Sequence, residues 1–273
     1  MKFKRLCAAA LIAAVGASVA GPVAANASAL TLPSEGKVTI VQGDIDTPNT
    51  DLPDPEDDDK KIKVPDDDIN ENPNTGPLAL MRTTNYDFGT MAKTGQATSA
   101  YAAPVTVEVY DKLDDPTDPA TVFTEVTRGA LVQWGDIDDS ATSGYEVSAN
   151  LSTQFTNTNS KTLDGATIKF SNGILATQTD GATDLESFES AFELSYNTPV
   201  IIAKGGTTNK GIYTAEYGQS PDYSPVANSI GYTGVADTDT TSVQLNVPAA
   251  ANGGMEVGTT YTATITWSIA RVA

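Results

Sequence analysis

The chain has no histidine and a single cysteine, Cys7, among its 273 residues. Without histidine it lacks the commonest general base, the commonest metal ligand and any Ser-His catalytic triad. A lone cysteine near the start leaves the rest of the chain without a disulfide or a cysteine-based zinc site. Carboxylate chemistry is therefore the main catalytic route that the composition leaves open, and no cofactor is expected.

Positive charge is scarce as well: 16 Lys and Arg residues stand against 35 Asp and Glu residues, for a formal net charge of -19 at pH 7. A protein this acidic resists nonspecific binding to nucleic acid and to anionic membranes. Long apolar runs are missing after the first 27 residues, so we expect no membrane span in the mature chain.

The start of the chain has the pattern of a secretory signal peptide. Three positive residues within the first five precede an Ala/Val/Leu run, and the small residues Ala25-Asn26-Ala27 follow it. This pattern predicts a signal peptide over residues 1–27 rather than an uncleaved membrane anchor. Cys7 lies inside this segment without the small residues that precede a lipoprotein cysteine, so no lipid is expected there. The mature chain is then secreted and free of cysteine.

Residues 28–75 are acidic, rich in Pro and Asn, and without aromatic residues. This composition buries too little apolar surface to offset the entropy of ordering, so it predicts a disordered linker. The short apolar patch Lys37–Gly43 could form an isolated strand. The aspartate runs Asp57–Asp59 and Asp66–Asp68 lack the spacing of a calcium loop and are interpreted as solvated charge, with calcium binding left open.

From Gly76 to the end, apolar and polar residues alternate in many short segments separated by turn residues. Period-two alternation is the pattern of a strand with one buried face. It occurs at Val105–Tyr110, Tyr145–Ser152, Ala166–Phe170, Phe192–Tyr196, Ser242–Val247 and Tyr261–Ala273. One helical turn is predicted within Thr183–Glu193. Residues 76–273 are thus predicted to form a single all-β domain, a β-sandwich or barrel, preceded by the signal peptide and the acidic linker.

Five segments of this domain resemble, in the same order, the WxL domain of Gram-positive surface proteins. Tyr86-Asp87-Phe88-Gly89 is similar to the family's (F/L)DFG motif, and Glu125–Gly129 resembles its V-x-D-x-R-G element. Leu163–Gly173 resembles its L-x-G-A hairpin, Val200–Gly218 its Gly-containing central segment, and Val243–Ile269 its last two strands. The resemblance covers Gly76 to the C-terminus.

The two motifs that give the family its name are altered. Tyr145-Glu146-Val147 stands where the first W-x-L motif is expected, and the second reads Trp267-Ser268-Ile269. The chain thus resembles a divergent member. The resemblance implies an extracellular module that is held non-covalently on the peptidoglycan-containing cell wall and associates with a companion WxL-interacting protein.

The alternation of the last strand places Trp267 and Ile269 on its apolar face, and that of the earlier strand does the same for Tyr145 and Val147. These four motif residues are therefore predicted to lie in the core. Trp134 lies in a polar segment with Asp136 and Asp138, which makes these three the candidate contacts for a wall sugar. The alternative is a tryptophan that fills the end of the barrel beside a solvated acidic loop. Arg128 is expected to pair with a carboxylate of the domain.

The leading functional hypothesis is a non-catalytic cell-surface protein that attaches to the wall or to a WxL-interacting partner. An adhesin that binds a host or matrix glycoprotein is an alternative compatible with it. A glycan hydrolase would need two carboxylates about 5–10 Å apart in a cleft, and no paired motif stands out.

Covalent attachment to the wall is not expected. An L-P-x-T-G sorting signal is absent from the C-terminal part, and the related sequence Leu32–Gly36 lies near the other end. Retention at the surface is therefore expected to come from the folded domain. Because the walls of Gram-positive bacteria carry anionic polymers, we expect tighter association at lower pH or with divalent cations.

Overall fold

The computed structural model describes residues 37–73, 76–177, 179 and 182–272, so the predicted signal peptide lies outside the described residues. Apart from a 3-10 turn at Thr47–Asn49 and a short helix, α1, at Ala249–Gly254, the regular structure described is all β. The strands are β1 (Leu52–Pro53), β2 (Lys60–Ile62), β3 (Ile69–Glu71), β4 (Leu78–Thr84), β5 (Thr98–Tyr101), β6 (Val105–Asp111), β7 (Thr124–Arg128), β8 (Ala130–Asp136), β9 (Tyr145–Thr156), β10 (Thr167–Phe170), β11 (Gly173–Thr177), β12 (Ser187–Phe188), β13 (Phe192–Ser195), β14 (Val200–Gly205), β15 (Gly211–Tyr217), β16 (Val243–Val247) and β17 (Thr262–Arg271). The predicted all-β fold class is confirmed.

The strands form four antiparallel sheets. Sheet I has the order β1-β2-β6-β7, and sheet II the order β11-β15-β8-β4-β3. Sheet III has the order β12-β14-β9-β17, and sheet IV the order β13-β10-β16-β5. Neighbours in space are often distant in sequence, as with β9 and β17, so most of the pairing is non-local.

The main core lies between sheet II on one side and sheets III and IV on the other. Sheet II contributes Val132 and Tyr217 to it, sheet III contributes Leu151, and sheet IV contributes Phe170 and Leu194; each of these is fully buried. Burying one such side chain contributes about 1.5–3 kcal/mol. The alternation predicted for β9, β10, β13 and β16 is present, because one face of each strand meets this core.

Sheet I covers the opposite face of sheet II and forms a second core. Leu52 of β1, Ile62 of β2 and Val107 of β6 pack there against Leu131 of β8. Strand β8 is therefore covered on both faces, and all seven of its residues are buried. A strand covered on both faces has no solvent side, so its sequence does not alternate.

The prediction of a disordered linker is wrong for Leu52–Glu71. This segment supplies β1, β2 and β3, which pair with β6 and β4. Its average composition is polar, but Leu52 and Ile62 are fully buried and Ile69 is 5% exposed. A few well-spaced apolar residues are enough to order this segment, because the neighbouring strands bury them. The isolated strand predicted at Lys37–Gly43 is not formed either, and these residues have no regular structure.

Buried ion pairs fasten the same segment to the sheets. Arg128, at the end of β7, donates two hydrogen bonds to Asp54, at 2.8 and 2.6 Å, and lies 3.2 Å from Glu56. Arg82 of β4 donates to Glu71 at 2.7 Å and to Gln133 of β8 at 2.7 Å. The expected carboxylate partner of Arg128 thus exists, and it comes from the acidic segment.

Close packing of the backbone explains why a glycine follows Arg128. A Cβ atom at Gly129 would lie 2.1 Å from the carbonyl oxygen of Gly218 and 2.3 Å from that of Tyr217. Only glycine lets the chain pass this closely from β7 in sheet I to β8 in sheet II. The Arg-Gly pair of the family element therefore supports both the buried ion pair and the crossing between the sheets.

The aspartate runs are used in turns and ion pairs. The carboxylate of Asp57 accepts from the N–H of Asp59 at 2.9 Å, and that of Asp66 accepts from the N–H of Asp68 at 2.9 Å. Asp59 also pairs with Lys112 at 2.6 Å. Within the described part of the chain, no group of three or more acidic, histidine or cysteine residues is placed to hold a metal ion.

The helical turn predicted within Thr183–Glu193 is wrong. Ser187–Phe188 forms the edge strand β12, which pairs with β14. Tyr217 donates a hydrogen bond to the carbonyl of Glu189 at 3.1 Å, and its ring lies 5.3 Å from that of Phe192. These side-chain contacts hold the segment extended against the sheets, which local sequence does not reveal.

One buried acid gives a prediction about pH. Burial raises the pKa of Glu216 well above its ordinary value near 4.5, and the charge of Glu56 raises it further. The folded protein then keeps a proton that the unfolded chain releases, so this group's contribution to stability falls as pH rises above about 4.5. The variant Glu216→Gln is expected to reduce the loss of stability between about pH 5 and pH 8. Urea unfolding of both proteins across this pH range tests the prediction. If the free energy of unfolding changed with pH by the same slope in both, the prediction would be contradicted.

Candidate functional site

The two altered motifs meet in sheet III, although they are far apart in sequence. Strands β9 and β17 pair antiparallel, with Val147 opposite Ile269 and Ala149 opposite Trp267. Tyr145 and Val147 are fully buried, Trp267 is 9% exposed and Ile269 is half-buried. The motif residues thus lie side by side in the wall of the main core.

The ring of Trp267 packs at the junction of sheets III and IV. It lies edge-on to Phe170 at 6.1 Å and to Phe192 at 6.3 Å, measured between ring centroids. Such edge-to-face contacts add about 0.5–1.5 kcal/mol beyond the burial of the rings. The ring is therefore a packing residue whose small exposed part lines the groove described below.

Trp134 lies inside β8 and is fully buried. Its ring stacks on Tyr213 at 6.2 Å, and its Nε1 atom donates to the hydroxyl of Tyr145 at 3.4 Å. The interpretation of Trp134 as an exposed ring that stacks on a sugar does not fit this burial. It fits a packing role, although in the middle of a strand rather than at the end of the barrel.

The carboxylates near Trp134 also hold the fold together. The side chain of Asp136 is fully buried and accepts from Arg271 at 2.6 and 2.8 Å and from Lys210 at 2.9 Å. Burial alone would raise the pKa of Asp136, but the hydrogen bonds from Arg271 and Lys210 outweigh it and the pKa is lowered. Asp138 lies 3.3 Å from Arg271 at the edge of this cluster. Asp136 therefore ties the end of β17 to β8 and is closed to a wall ligand.

An open groove of about 860 Å³ lies beside β17. One wall is the segment Asn85–Lys93, which contains the Tyr86-Asp87-Phe88-Gly89 motif, and the other is the loop Met255–Tyr261. Phe155, Ile265 and Trp267 line it between these walls. Residues of two family motifs therefore border the same cavity.

The two walls are fastened to each other at one end. The side-chain oxygen of the fully buried Asn252 accepts from the N–H groups of Thr94 and Gly95, both at 2.7 Å, and its amide donates to the carbonyl of Ala92 at 3.0 Å. Lys93 donates to the carbonyl of Met255 at 2.7 Å. The groove is thus formed by the fold itself, as most ligand sites are.

The loop wall is held from the other side by amide and carboxylate groups. Asn157 and Asn159 donate to Glu256 at 2.7 and 2.9 Å, and these hydrogen bonds, Asn159 first, lower the pKa of Glu256. The hydroxyl of Tyr261 accepts from the N–H of Glu256 at 3.0 Å. Glu256 is therefore ionised at neutral pH and fixes the loop.

The groove combines aromatic surface with a polar rim. Tyr86, Phe88, Tyr261 and Trp267 are its aromatic members, and threonine, asparagine and acidic residues surround them. Its volume is in the range of small-molecule sites, about 300–1,000 Å³. Aromatic rings pack on the apolar faces of sugar rings, and polar side chains bond the hydroxyls, so the groove can hold a short glycan.

Sequence reasoning missed this groove as a site. The segment Tyr86–Gly89 was recognised only as a family motif, and the loop Met255–Tyr261 only as a Gly-containing connection. The signal that could have found them is the pair of aromatic residues Phe88 and Tyr261 at the ends of otherwise polar segments.

The described residues include no helix that is long and apolar enough to span a membrane.

A layered all-β domain whose two motif strands pair beside a preformed groove has the architecture of a binding module. The family model described as WxL domain, surface cell wall-binding, matches residues 27–272, so the chain belongs to this family. The match begins at residue 27 and thus includes the acidic segment that supplies β1 to β3. No curated protein and no solved structure matches the chain.

Proposed function

We propose that this protein is secreted and held non-covalently on peptidoglycan in the cell wall, and that the groove beside β17 is the contact site. The family's description as surface cell wall-binding supports the class of function. The observation that carries the site is the groove itself, which is bordered by the Tyr86–Gly89 motif and by the strand of the second W-x-L motif. The contacts first expected were Trp134, Asp136 and Asp138, and in this proposal Phe88 and Tyr261 replace them.

The carboxylate of Glu256, on the loop wall of the groove, supports a non-catalytic role. A glycan hydrolase needs one carboxyl group with a raised pKa as its general acid. The hydrogen bonds from Asn159 and Asn157 instead lower the pKa of Glu256. We therefore propose binding without hydrolysis, and peptidoglycan incubated with the protein is expected to release no soluble sugar.

The charge of the chain shapes how it binds. With a formal net charge of -19, it is repelled at long range by anionic wall polymers. Attachment then depends on short-range stacking and hydrogen bonds, and it strengthens when the repulsion is reduced. Washed cell walls are expected to retain more protein at about pH 4.5 than at about pH 8, and more with calcium than without. Equal retention in all four conditions would contradict this account.

The groove variant Phe88→Ser tests the site. Phe88 is half-buried and packs edge-on to Phe155 at 6.1 Å, so its loss removes aromatic surface from the groove. The affinity for purified peptidoglycan, measured by sedimentation, is expected to fall about tenfold. This corresponds to a loss of about 1.4 kcal/mol in binding free energy.

The matched control is Tyr196→Ser, because Tyr196 is an aromatic residue that is 52% exposed and lies outside the groove. It should sediment like the unaltered protein, and circular dichroism confirms that both variants fold. If Phe88→Ser sediments as well as the control, the groove is not the wall contact.

A companion WxL-interacting protein is a second proposed partner. It rests on the family relationship alone, and a pull-down of the secreted chain with the products of neighbouring genes tests it. Binding to peptidoglycan but to none of these products would leave the wall as the sole partner. Binding to neither would remove the proposed function.

A further inference from the structure

Strand β17 is an edge strand of sheet III. In the part of the chain that the structure describes, it pairs with β9 on one side and with no strand on the other. Proteins usually protect such an edge with lysine, proline or an inward-pointing charge, because its open N–H and C=O groups can pair with another chain. Residues 262–270 include no charged residue and no proline. The edge therefore lacks these protections, and it is uncharged although the chain as a whole is strongly acidic.

The hydrogen bonds at the two ends of β17 show which of its main-chain groups face β9. The N–H of Val272, just beyond the strand, donates to the carbonyl of Gly144 at 3.1 Å, and the N–H of Thr264 donates to the hydroxyl of Thr153 in β9 at 2.7 Å. Along an antiparallel strand, successive residues point their N–H and C=O groups to opposite sides. Every second residue between these two therefore faces β9, and the residues that alternate with them face the open edge. The latter include Ile265, Trp267 and Ile269.

The side chains of β17 alternate between two different surfaces. One surface carries exposed hydroxyl groups and faces solvent. The other is apolar and packs against the main core, where Trp267 is 9% exposed and Ala263, Ile265 and Ile269 are only half-buried. A strand added to the open edge must match both surfaces, because a slip of one residue would exchange them.

We propose that β17 of one copy pairs antiparallel with β17 of a second copy, in the register centred on Thr266. In this register Ile265 of each copy lies opposite Trp267 of the other, and Ala263 lies opposite Ile269. Apolar side chains thus meet apolar side chains, and the half-buried ones become covered. Ile265 and Trp267 also carry the open main-chain groups, so they would exchange hydrogen bonds across the new pair.

The uncharged stretch determines the register. Thr266 is the middle residue of 262–270, so this register pairs the whole stretch with itself. A centre at Ile265 would also keep like surfaces together, but it would pair fewer residues of β17. A centre at Trp267 would place the charged Arg271 opposite Ala263. The strand is therefore most complementary to a second copy of itself about Thr266.

A contact between two copies of the same surface is isologous and closes as a two-fold symmetric dimer. Each groove borders β17, so the two grooves would lie beside the joined strands. The chain carries a formal net charge of -19, so the copies repel each other at long range, and we expect dimerisation to increase with ionic strength. This self-association goes beyond the wall binding proposed above.

Disulfide trapping tests the register, and the mature chain suits it because the sole cysteine lies in the predicted signal peptide. Thr266 would lie opposite its own copy at a Cα separation of about 4.5 Å, that of a non-hydrogen-bonded pair, which a disulfide can span. Thr266→Cys alone is therefore expected to form a linked dimer under mild oxidation. Its yield should exceed by about tenfold that of Thr117→Cys, an exposed position between β6 and β7, because pairing raises the effective concentration of the thiols.

A mixing experiment separates this register from chance collisions. Thr264 of one copy would lie opposite Ser268 of the other, whereas the two copies of Thr264 would lie about 13 Å apart along the strands. A mixture of Thr264→Cys and Ser268→Cys should therefore cross-link about tenfold more than either variant alone. Equal cross-linking by the single variants would overturn the proposed register.

The molar mass in solution, measured by light scattering, tests the dimer without cysteines. The unaltered protein is expected to shift from monomer to dimer as its concentration and the ionic strength rise. Thr266→Lys should keep it monomeric, because two ammonium groups would face each other across the two-fold axis. The matched control Thr117→Lys adds the same charge elsewhere and should dimerise like the unaltered protein, and circular dichroism confirms that both variants fold.

Two results would overturn the proposal. One is a monomer at every concentration and ionic strength, which would leave the edge of β17 to a different chain. The other is a yield of linked dimer for Thr266→Cys no higher than that for Thr117→Cys. These experiments contain no cell wall, so their failure and the failure of wall binding are distinguishable.

Discussion

Deletion of residues 28–75 is expected to leave the remaining chain unable to fold into a stable monomer, although composition alone marks this region as a linker. The deletion removes Leu52, Ile62 and Ile69 from the second core and exposes Leu131 of β8. It also leaves Arg82 and Arg128 without their carboxylates. Each lost apolar side chain costs about 1.5–3 kcal/mol and each broken buried pair about 3–5 kcal/mol, against a total stability of about 5–15 kcal/mol.

Circular dichroism and thermal unfolding measure this outcome. The matched control is a chain that begins at Val41, which lacks Lys37–Ile40 but retains β1 to β3. Because Val38 and Ile40 are exposed, the control is expected to unfold at the temperature of the unaltered protein. A truncated chain that starts at Gly76 and still unfolds cooperatively within a few degrees of the control would show that the acidic segment is dispensable.

The second large effect is expected for Arg128→Met, which keeps the volume of the side chain but removes its charge. The side chain of Asp54 is fully buried and that of Glu56 is 4% exposed, so both would lose the cation that neutralises them. Breaking one partner of a buried pair costs about 3–5 kcal/mol, because the remaining charge has neither water nor a partner. The midpoint of urea unfolding at neutral pH should fall accordingly.

Two comparison variants make the result specific. Lys63→Met removes the partner of Glu108 in an ion pair whose side chains are 42% and 46% exposed, so it should cost less than about 1 kcal/mol. Adding Asp54→Asn and Glu56→Gln to Arg128→Met should recover part of the loss, since no unpaired charge then remains. A loss below about 1 kcal/mol for Arg128→Met alone would mean that the pair is solvated.

The strands predicted from alternation agree with the structure to within a residue or two, except at the end of β9, and the exceptions have a common physical cause. β9 and β16 alternate because one face meets the core and the other faces solvent. β8 does not alternate, because sheets I, III and IV cover both of its faces, so Trp134 was read as part of a polar loop. Period-two alternation identifies a strand with one buried face, but a strand that is covered on both faces does not alternate and is not identified.

The interpretation of acidic residues as solvated was the other source of error. Acidic residues usually indicate solvated segments, yet Asp54, Glu56 and Glu71 meet arginines from β4 and β7 inside the protein. The sequence indicated that Arg128 needed a carboxylate but not which one, because the partner is distant along the chain. The groove was missed for a similar reason: its walls, Asn85–Lys93 and Met255–Tyr261, are distant in sequence and are brought together by the buried amide of Asn252 and by the hydrogen bond from Lys93 to Met255.

The pairing of β9 with β17 and of β2 with β6 also determines when this protein can fold. β17 is the last strand described, and β9 has no other partner on that side until it arrives. Folds dominated by such distant pairings form slowly, because the entropy of closing long loops is lost before any contact stabilises the chain. With the secretion proposed above, a chain exported in an extended state would reach its native fold only after β17 has left the translocation channel. Until then, the strong negative charge of the acidic segment would keep the emerging chain apart from its neighbours.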